Sequence, residues 1–132
     1  MSFSCFRAVV FILLFAVLPL PGKEYKLMDN GKARCQIIVP EGAIPAYHYA
    51  AEELSKYPGK ISGSNKGPAI VKKKSPGVYS VSFAVTEDRT VKEDGFRLTV
   101  NKNGILIEHR KYTPVGALYG AYEILKKYGG IY

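Results

Sequence analysis

His48 and Glu52 form the first pair of side chains whose types and spacing could do chemistry. Residues four apart on an α-helix lie on the same face, so both side chains could bind one divalent metal ion. A zinc site needs three or four ligands, however, and the sequence contains only two His and no HExxH motif. We therefore predict no metal site, and we interpret His48 as a residue on the surface of a helix.

Paired carboxylates are the second candidate, because glycosidases use two of them to cleave one bond. Glu52 and Glu53 are neighbours on the same predicted helix, where their side chains point about 100° apart and cannot flank a single bond. Glu93 and Asp94 lie in a charged stretch that we interpret as a solvated loop. Glu123 lies beside the apolar stripe of another predicted helix, and we interpret it as a surface or structural carboxylate.

Motifs for a serine nucleophile or for phosphate binding are missing from the sequence. There is no G-x-S-x-G motif, and Ser80 and Ser82 belong to a predicted strand. Gly95, Gly104 and Gly120 are assigned to two turns and a helix rather than to a phosphate-binding loop. We therefore predict no catalytic residue, no cofactor-binding residue and no cofactor for this chain.

The chain is basic: 19 Lys and Arg oppose 11 Asp and Glu, which gives a formal net charge of +8. The basic residues form short, scattered runs, which are Lys72-Lys73-Lys74, Arg110-Lys111 and Lys126-Lys127. Such runs are a weak signal for nucleic acid, and the predicted element order differs from that of the common RNA-binding sheet. We predict no nucleic-acid partner, and we interpret the charge as favouring an anionic polysaccharide or simple solvation.

Ten Tyr residues raise the separate question of sugar stacking. Three of them fall at core-facing positions of predicted elements, where packing explains them; these are Tyr47, Tyr79 and Tyr122. The less constrained tyrosines, which stay candidate contact residues, are Tyr25, Tyr112 and Tyr132.

Residues 8–20 read AVVFILLFAVLPL and contain no charge. Arg7 precedes this run and Pro21-Gly22 ends it, which is the order of a secretory signal peptide. The run is shorter than the roughly 20 apolar residues of a spanning helix, and an uncleaved N-terminal anchor remains the alternative. We predict a signal peptide over residues 1–22 and one domain over residues 23–132. The protein would then be secreted or periplasmic, with no membrane association after cleavage.

Removal of that signal would also remove Cys5 and leave Cys35 as the only thiol. Cys35 begins the strand-like run CQIIV. A lone Cys in an exported protein is more often a small buried residue than a reactive one, so we predict that Cys35 is buried.

Two predicted hairpins account for four strands. Residues 24–28 and 33–39 flank the tight-turn signal Asp29-Asn30-Gly31. Residues 96–100 and 105–107 flank a second turn signal at residues 101–104. Both pairs are expected to be antiparallel, since a short turn joins each.

A fifth strand is predicted over residues 78–85, where apolar and polar side chains alternate. Residues 59–77 are rich in Gly, Ser, Pro and Lys and read mainly as loop, within which residues 69–71 could form a short strand.

Two amphipathic segments predict helices. Residues 44–57 carry Pro45 in the first turn, and Pro58-Gly59 is expected to end this helix. The last helix opens at Thr113-Pro114, with Thr113 as its cap, and ends at Gly129-Gly130. The element order β-β-α-β-β-β-α predicts an α+β fold, a mostly antiparallel sheet with two helices packed on it.

Three groups of motifs in this order carry a family resemblance. Residues 116–125 read GALYGAYEIL and are followed by Tyr128-Gly129-Gly130. Upstream lie IIVP at residues 37–40 with AAEEL at residues 50–54, and DGFRL at residues 94–98 with GILI at residues 104–107. Together these motifs resemble the α-glucuronidase N-terminal domain and the related domain-2-like module of β-hexosaminidases, both from exported glycoside hydrolases. The likeness covers nearly all of residues 24–130.

The resemblance implies a hexosaminidase domain-2-like α/β sandwich that packs against a catalytic (β/α)8 barrel. The catalytic carboxylates of those enzymes lie in the barrel, so the resemblance assigns no catalytic residue to this chain. The family usually has Gly and then an acidic residue or Asn before the last helix, where this chain has His109-Arg110-Lys111. It also continues with Arg-Trp and a barrel where this sequence has Ile131-Tyr132, so we expect a domain truncated before the barrel.

Our leading hypothesis is a non-catalytic accessory domain, a fragment of a carbohydrate-active glycoside hydrolase, with no activity of its own. Its partner would be a (β/α)8 barrel or a glycan. Two alternatives stay open: a small secreted module that binds acidic glycans, and a structural or interaction domain whose open face packs on another domain.

Overall fold

The computed structural model describes residues 27–29, 32–63 and 66–128. The predicted signal peptide, the turn residues Asn30 and Gly31, and the helix-ending Gly129-Gly130 lie outside the described residues, as do Tyr25 and Tyr132. Within the described part of the chain, no helix is both long and apolar enough to cross a membrane.

The described chain folds into seven strands and two helices. A small antiparallel pair opens it, with β1 at Met28–Asp29 and β2 at Lys32–Ala33. The main sheet contains β3 (Cys35–Ile38), β4 (Ala69–Val71), β5 (Tyr79–Thr86), β6 (Phe96–Asn101) and β7 (Gly104–Arg110). Its strand order is β4-β3-β5-β7-β6. Helices α1 (Pro45–Ser62) and α2 (Val115–Tyr128) complete the fold.

The α+β class is confirmed, but the prediction of a mostly antiparallel sheet is wrong. β3 pairs in parallel with β4 and with β5, and β5 pairs in parallel with β7. Only β6 and β7 form an antiparallel pair in the main sheet, which is the hairpin predicted around residues 101–104. The reason is topological: α1 carries the chain from β3 back to a parallel β4, and β6 folds to the outer edge so that β7 returns beside β5.

Helix α1 runs past Pro58-Gly59, where the sequence predicts its end. Both residues are buried, and a Cβ on Gly59 would lie 2.8 Å from the backbone nitrogen of Gly67. Gly59 therefore allows the last turns of α1 to approach the segment that leads into β4. The helix ends instead at Gly63, whose φ of 80° is the left-handed conformation that Gly adopts without strain.

Helix α2 begins after Pro114, as predicted, but Thr113 does not cap it through its side chain. The Gly116 amide donates to the backbone carbonyl of Thr113 at 3.2 Å, while Thr113 Oγ1 is buried with no hydrogen-bond partner. Gly120 fits α2 closely to the sheet, because a Cβ there would lie 2.6 Å from Cγ2 of Ile107. Position 120 therefore requires Gly, because any side chain there would collide with Ile107 of β7.

Both helices pack on one face of the sheet, and the main core lies between the helices and that face. Alternate residues of the central strands meet the helices there. The core members from the sheet are Cys35, Ile37, Val81, Ile105 and Ile107, and those from the helices are Ala50, Ala51, Leu54, Ala121, Ile124 and Leu125. The burial predicted for Cys35 is confirmed, since 5% of the residue is exposed.

The opposite face of the sheet meets neither helix. The loop before β5 covers one end of it, where the Gln36 side chain hydrogen bonds with the backbone of Ser75 and with Ser80 Oγ. Farther along the same face, five half-buried side chains define what we call the outer sheet face; they belong to Ser82, Ala84, Arg97, Leu106 and Glu108. This mostly parallel sheet therefore carries helices on one face only.

Candidate functional site

The carboxyl ends of β5 and β7 lie side by side, with Thr86 opposite Arg110 in the register of the two strands. The loop of residues 87–95 leaves the first strand, and the loop of residues 111–114 leaves the second. In open sheets with parallel strands, this edge is where ligands commonly bind. The two loops enclose a cleft of about 340 Å³, which we call the β5–β7 cleft.

Charged and hydroxyl side chains line most of the β5–β7 cleft. Its lining residues are Thr86, Glu87, Arg89, Glu93, Arg110, Lys111, Tyr112 and Thr113. Three of these are basic and two are acidic, which makes the lining positive by one charge. Within the described part of the chain, none of Glu87, Arg89, Glu93 and Lys111 forms an ion pair. These four charges are therefore free to interact with a ligand.

Arg110 builds the wall of the cleft. Its Nη1 donates to the backbone carbonyl of Val91 at 3.0 Å, and Val91 is itself buried. Because Arg110 belongs to β7 and Val91 to the loop after β5, this hydrogen bond ties the two sides together. It is a charge-assisted bond, which is stronger than a bond between neutral groups.

Asp88 and Arg97 hold the same loop from its other side. Asp88 accepts hydrogen bonds from the Thr90 hydroxyl at 2.7 Å and from the Thr90 amide at 2.9 Å. Its second oxygen pairs with Nη1 of Arg97 at 2.7 Å, and Nε of Arg97 pairs with Glu108 at 2.8 Å. Hydrogen bonds from Thr90, together with Arg97, hold the pKa of Asp88 well below its usual range. The loop is thus fixed to the outer sheet face.

Tyr112 and Thr113 give the cleft its other surfaces. Tyr112 is 86% exposed, and Nζ of Lys111 lies 5.4 Å from the centre of its ring. Oγ1 of Thr113 is buried and has no hydrogen-bond partner within the described structure. A buried hydroxyl without a partner is costly, and this oxygen is shielded from the open space of the cleft.

The carboxylates singled out in the sequence are not brought together. Glu53 pairs with Lys56 at 3.3 Å, and Glu123 pairs with Lys127 at 3.5 Å. Glu52 is exposed on α1. Of the pair in the predicted loop, Glu93 lines the β5–β7 cleft, while Asp94 is exposed outside its lining.

The remaining sequence candidates have separate places. His48 is exposed on α1, as interpreted from the sequence. Lys72, in the densest basic run, pairs with Glu41 at 2.8 Å, and this run lies away from the cleft lining. Tyr122, interpreted as core-facing, is 43% exposed, since α2 packs through Ala121, Ile124 and Leu125 instead. Among the described residues, no group of three or more His, Cys, Asp or Glu could hold a metal ion.

The sequence reasoning missed His109, which is fully buried. Its Nδ1 lies 2.8 Å from the carbonyl oxygen of Arg110, and its Nε2 lies 2.6 Å from the Tyr47 hydroxyl. His109 and Arg110 are therefore the last two residues of β7, and Lys111 begins the loop that follows. The signal was present: His109 follows Ile105 and Ile107 at the spacing of one strand face.

Comparison of the sequence with protein-family models finds no model that matches it. Comparison with curated proteins finds no matching relative.

Proposed function

We propose that this chain is a non-catalytic accessory domain of an exported, carbohydrate-active glycoside hydrolase, and that its outer sheet face packs against a catalytic (β/α)8 barrel. The motif order described above supports this proposal, since it resembles the N-terminal domains of two groups of such enzymes. The α+β fold agrees with what that resemblance implies.

The observation that carries the proposal is the face of the sheet that neither helix covers. Parallel strands are usually buried on both faces. Here three of the four strand pairings in the main sheet are parallel, yet α1 and α2 cover only one side. The outer sheet face presents Ala84 and Leu106 between polar side chains, and all are half-buried. A face of this composition suits a domain interface, which is typically about as polar as other surface.

Binding to an isolated barrel tests the proposal. Barrels of an α-glucuronidase and of a β-hexosaminidase, each expressed without its own N-terminal domain, would be titrated with the full 132-residue chain in a calorimeter. We expect one of the two to bind and to gain thermal stability, because a partner that binds only the folded state stabilises it. Absence of binding to both barrels would overturn the proposal.

Two matched variants locate the interface. Ala84→Arg places a long charged side chain on the outer sheet face and should abolish binding. Ala33→Arg introduces the same side chain at an exposed position of β2 and should leave binding unchanged. Equal loss in both variants would exclude the outer sheet face as the contact.

Catalysis by the chain alone is the second readout. The purified full chain should release no 4-nitrophenol from aryl glycosides, glucuronides and N-acetylglucosaminides included. Turnover that survives purification and is lost in a carboxylate variant such as Glu93→Gln would contradict a non-catalytic role.

A further inference from the structure

We propose that the β5–β7 cleft binds a small acidic sugar, through an anionic group that is a carboxylate or a phosphate ester. This inference goes beyond the accessory role and does not depend on it, because it concerns a site within this chain alone. It rests on the position of the cleft, on its unpaired charges and on the exposed ring of Tyr112.

The unpaired charges define the anionic group of the ligand. Arg89 and Lys111 line the cleft without an ion pair in the described structure, whereas Arg110 is engaged with the Val91 carbonyl. A carboxylate or phosphate placed between Arg89 and Lys111 would gain charge-assisted hydrogen bonds from both. Since the lining carries one excess positive charge, a ligand with a single negative group would neutralise it.

The acidic residues of the cleft define the rest of the ligand. Glu87 and Glu93 also line it without ion pairs, and ionised carboxylates can only accept hydrogen bonds. They are exposed and hydrated, so a ligand that displaces their water is favoured when it brings donors, which sugar hydroxyls supply. A plain inorganic anion would bring no donors to these carboxylates.

Tyr112 completes the match to a sugar. The exposed ring of Tyr112 offers an apolar face on which a sugar ring can stack. The volume of about 340 Å³ lies at the lower end of the range for small-molecule sites, so it suits one small ligand.

Calorimetric titration of the full chain with three related sugars tests the site. The probes are galacturonate, galactose 6-phosphate and uncharged galactose. We expect at least one acidic sugar to bind about tenfold or more tightly than galactose, the difference that one charge-assisted contact supplies. Binding of only one acidic probe would identify the anionic group. Equal affinity for all three probes, or no binding of either acidic probe, would overturn the proposal.

Charge-removing variants assign the binding to the cleft. Arg89→Gln and Lys111→Gln should each weaken binding of the acidic sugar about fivefold to tenfold. Tyr112→Ala should weaken it as well. The control Lys102→Gln removes the same charge from the exposed turn between β6 and β7, at the opposite end of β7. If this control weakened binding as much as Lys111→Gln, general electrostatic attraction would replace a specific site.

All four substituted residues have exposed side chains, so the urea midpoint of each variant should match that of the parent. Lys111→Arg serves as the conservative counterpart of Lys111→Gln, because it keeps the charge and should keep the binding. Loss of binding in Lys111→Arg together with an unchanged midpoint would count against recognition by charge.

Discussion

The Tyr47 hydroxyl lies 2.6 Å from Nε2 of His109, and this contact joins α1 to β7 across 62 residues of sequence. Nδ1 of His109 donates to the Arg110 carbonyl, since a carbonyl can only accept, so in the neutral ring Nε2 accepts from Tyr47. Burial raises the pKa of Tyr47, which keeps its hydroxyl protonated as the donor. The Tyr47 ring also stacks on Phe83, with ring centres 4.8 Å apart.

Tyr47→Phe should destabilise the fold by about 1–3 kcal/mol, because it keeps the stacked ring but leaves the buried Nε2 of His109 without a partner. The free energy of unfolding in urea measures this effect. The matched control Tyr49→Phe removes a hydroxyl from a tyrosine that is 58% exposed, and it should change the stability little. An equal effect of the two substitutions would show that the contact with His109 contributes nothing.

Local patterns in the sequence predicted the elements of this fold better than their arrangement. The hairpin of β6 and β7 was predicted because its turn and its alternating side chains are adjacent in sequence. The parallel pairing of β5 with β7 was not predicted, because no local signal links two strands that are separated by a third. The end of α1 was misplaced for a related reason, since burial against the segment before β4 overrides the helix-breaking tendency of Pro58-Gly59.

The β5–β7 cleft shows the same limit at the level of the site. Tyr112 and the Arg110-Lys111 run were visible in the sequence as contact and charge candidates. Their association with Glu87 and Arg89 depends on the register that sets Thr86 beside Arg110, which only the folded sheet provides. Periodicity can assign a residue to a face of one strand, but it cannot choose the neighbouring strand.

Gly120→Ala should destabilise the protein by about 1–3 kcal/mol, although Ala favours helices more than Gly does. The added Cβ would lie 2.6 Å from Cγ2 of Ile107, so α2 would have to move away from the sheet. Urea unfolding measures the loss, and the exposed α2 substitution Lys126→Ala provides a control that changes no core contact. A gain in stability for Gly120→Ala would show that the helix and the sheet are packed more loosely than described.

Cys35 should resist thiol reagents as long as the protein stays folded. Burial raises the pKa of this thiol to about 12, and the thiolate is the reactive form. Reaction with a disulfide reagent, measured in a Cys5→Ser chain so that only one thiol is present, should be slow in buffer and fast in urea above the unfolding midpoint. Rapid modification in buffer would place Cys35 at an accessible surface and contradict its burial under α1.

Asp88 should make the protein more stable near neutral pH than in acid. Hydrogen bonds from Thr90 and the charge of Arg97 lower the pKa of Asp88 in the folded state below its ordinary value of 3.8. The stabilising contribution is therefore fully present above that ordinary value and is lost as the pH falls through the lower, folded-state pKa. Asp88→Asn should lower the urea midpoint at pH 7, and the difference from the parent chain should shrink steadily below about pH 4.

Thr90→Val, which removes the hydroxyl donor but leaves Asp88 and Arg97 in place, should lower the midpoint less than Asp88→Asn does. A difference between Asp88→Asn and the parent that stays constant from pH 7 to pH 2 would show that the carboxylate charge does not hold the loop of residues 87–95 to the sheet.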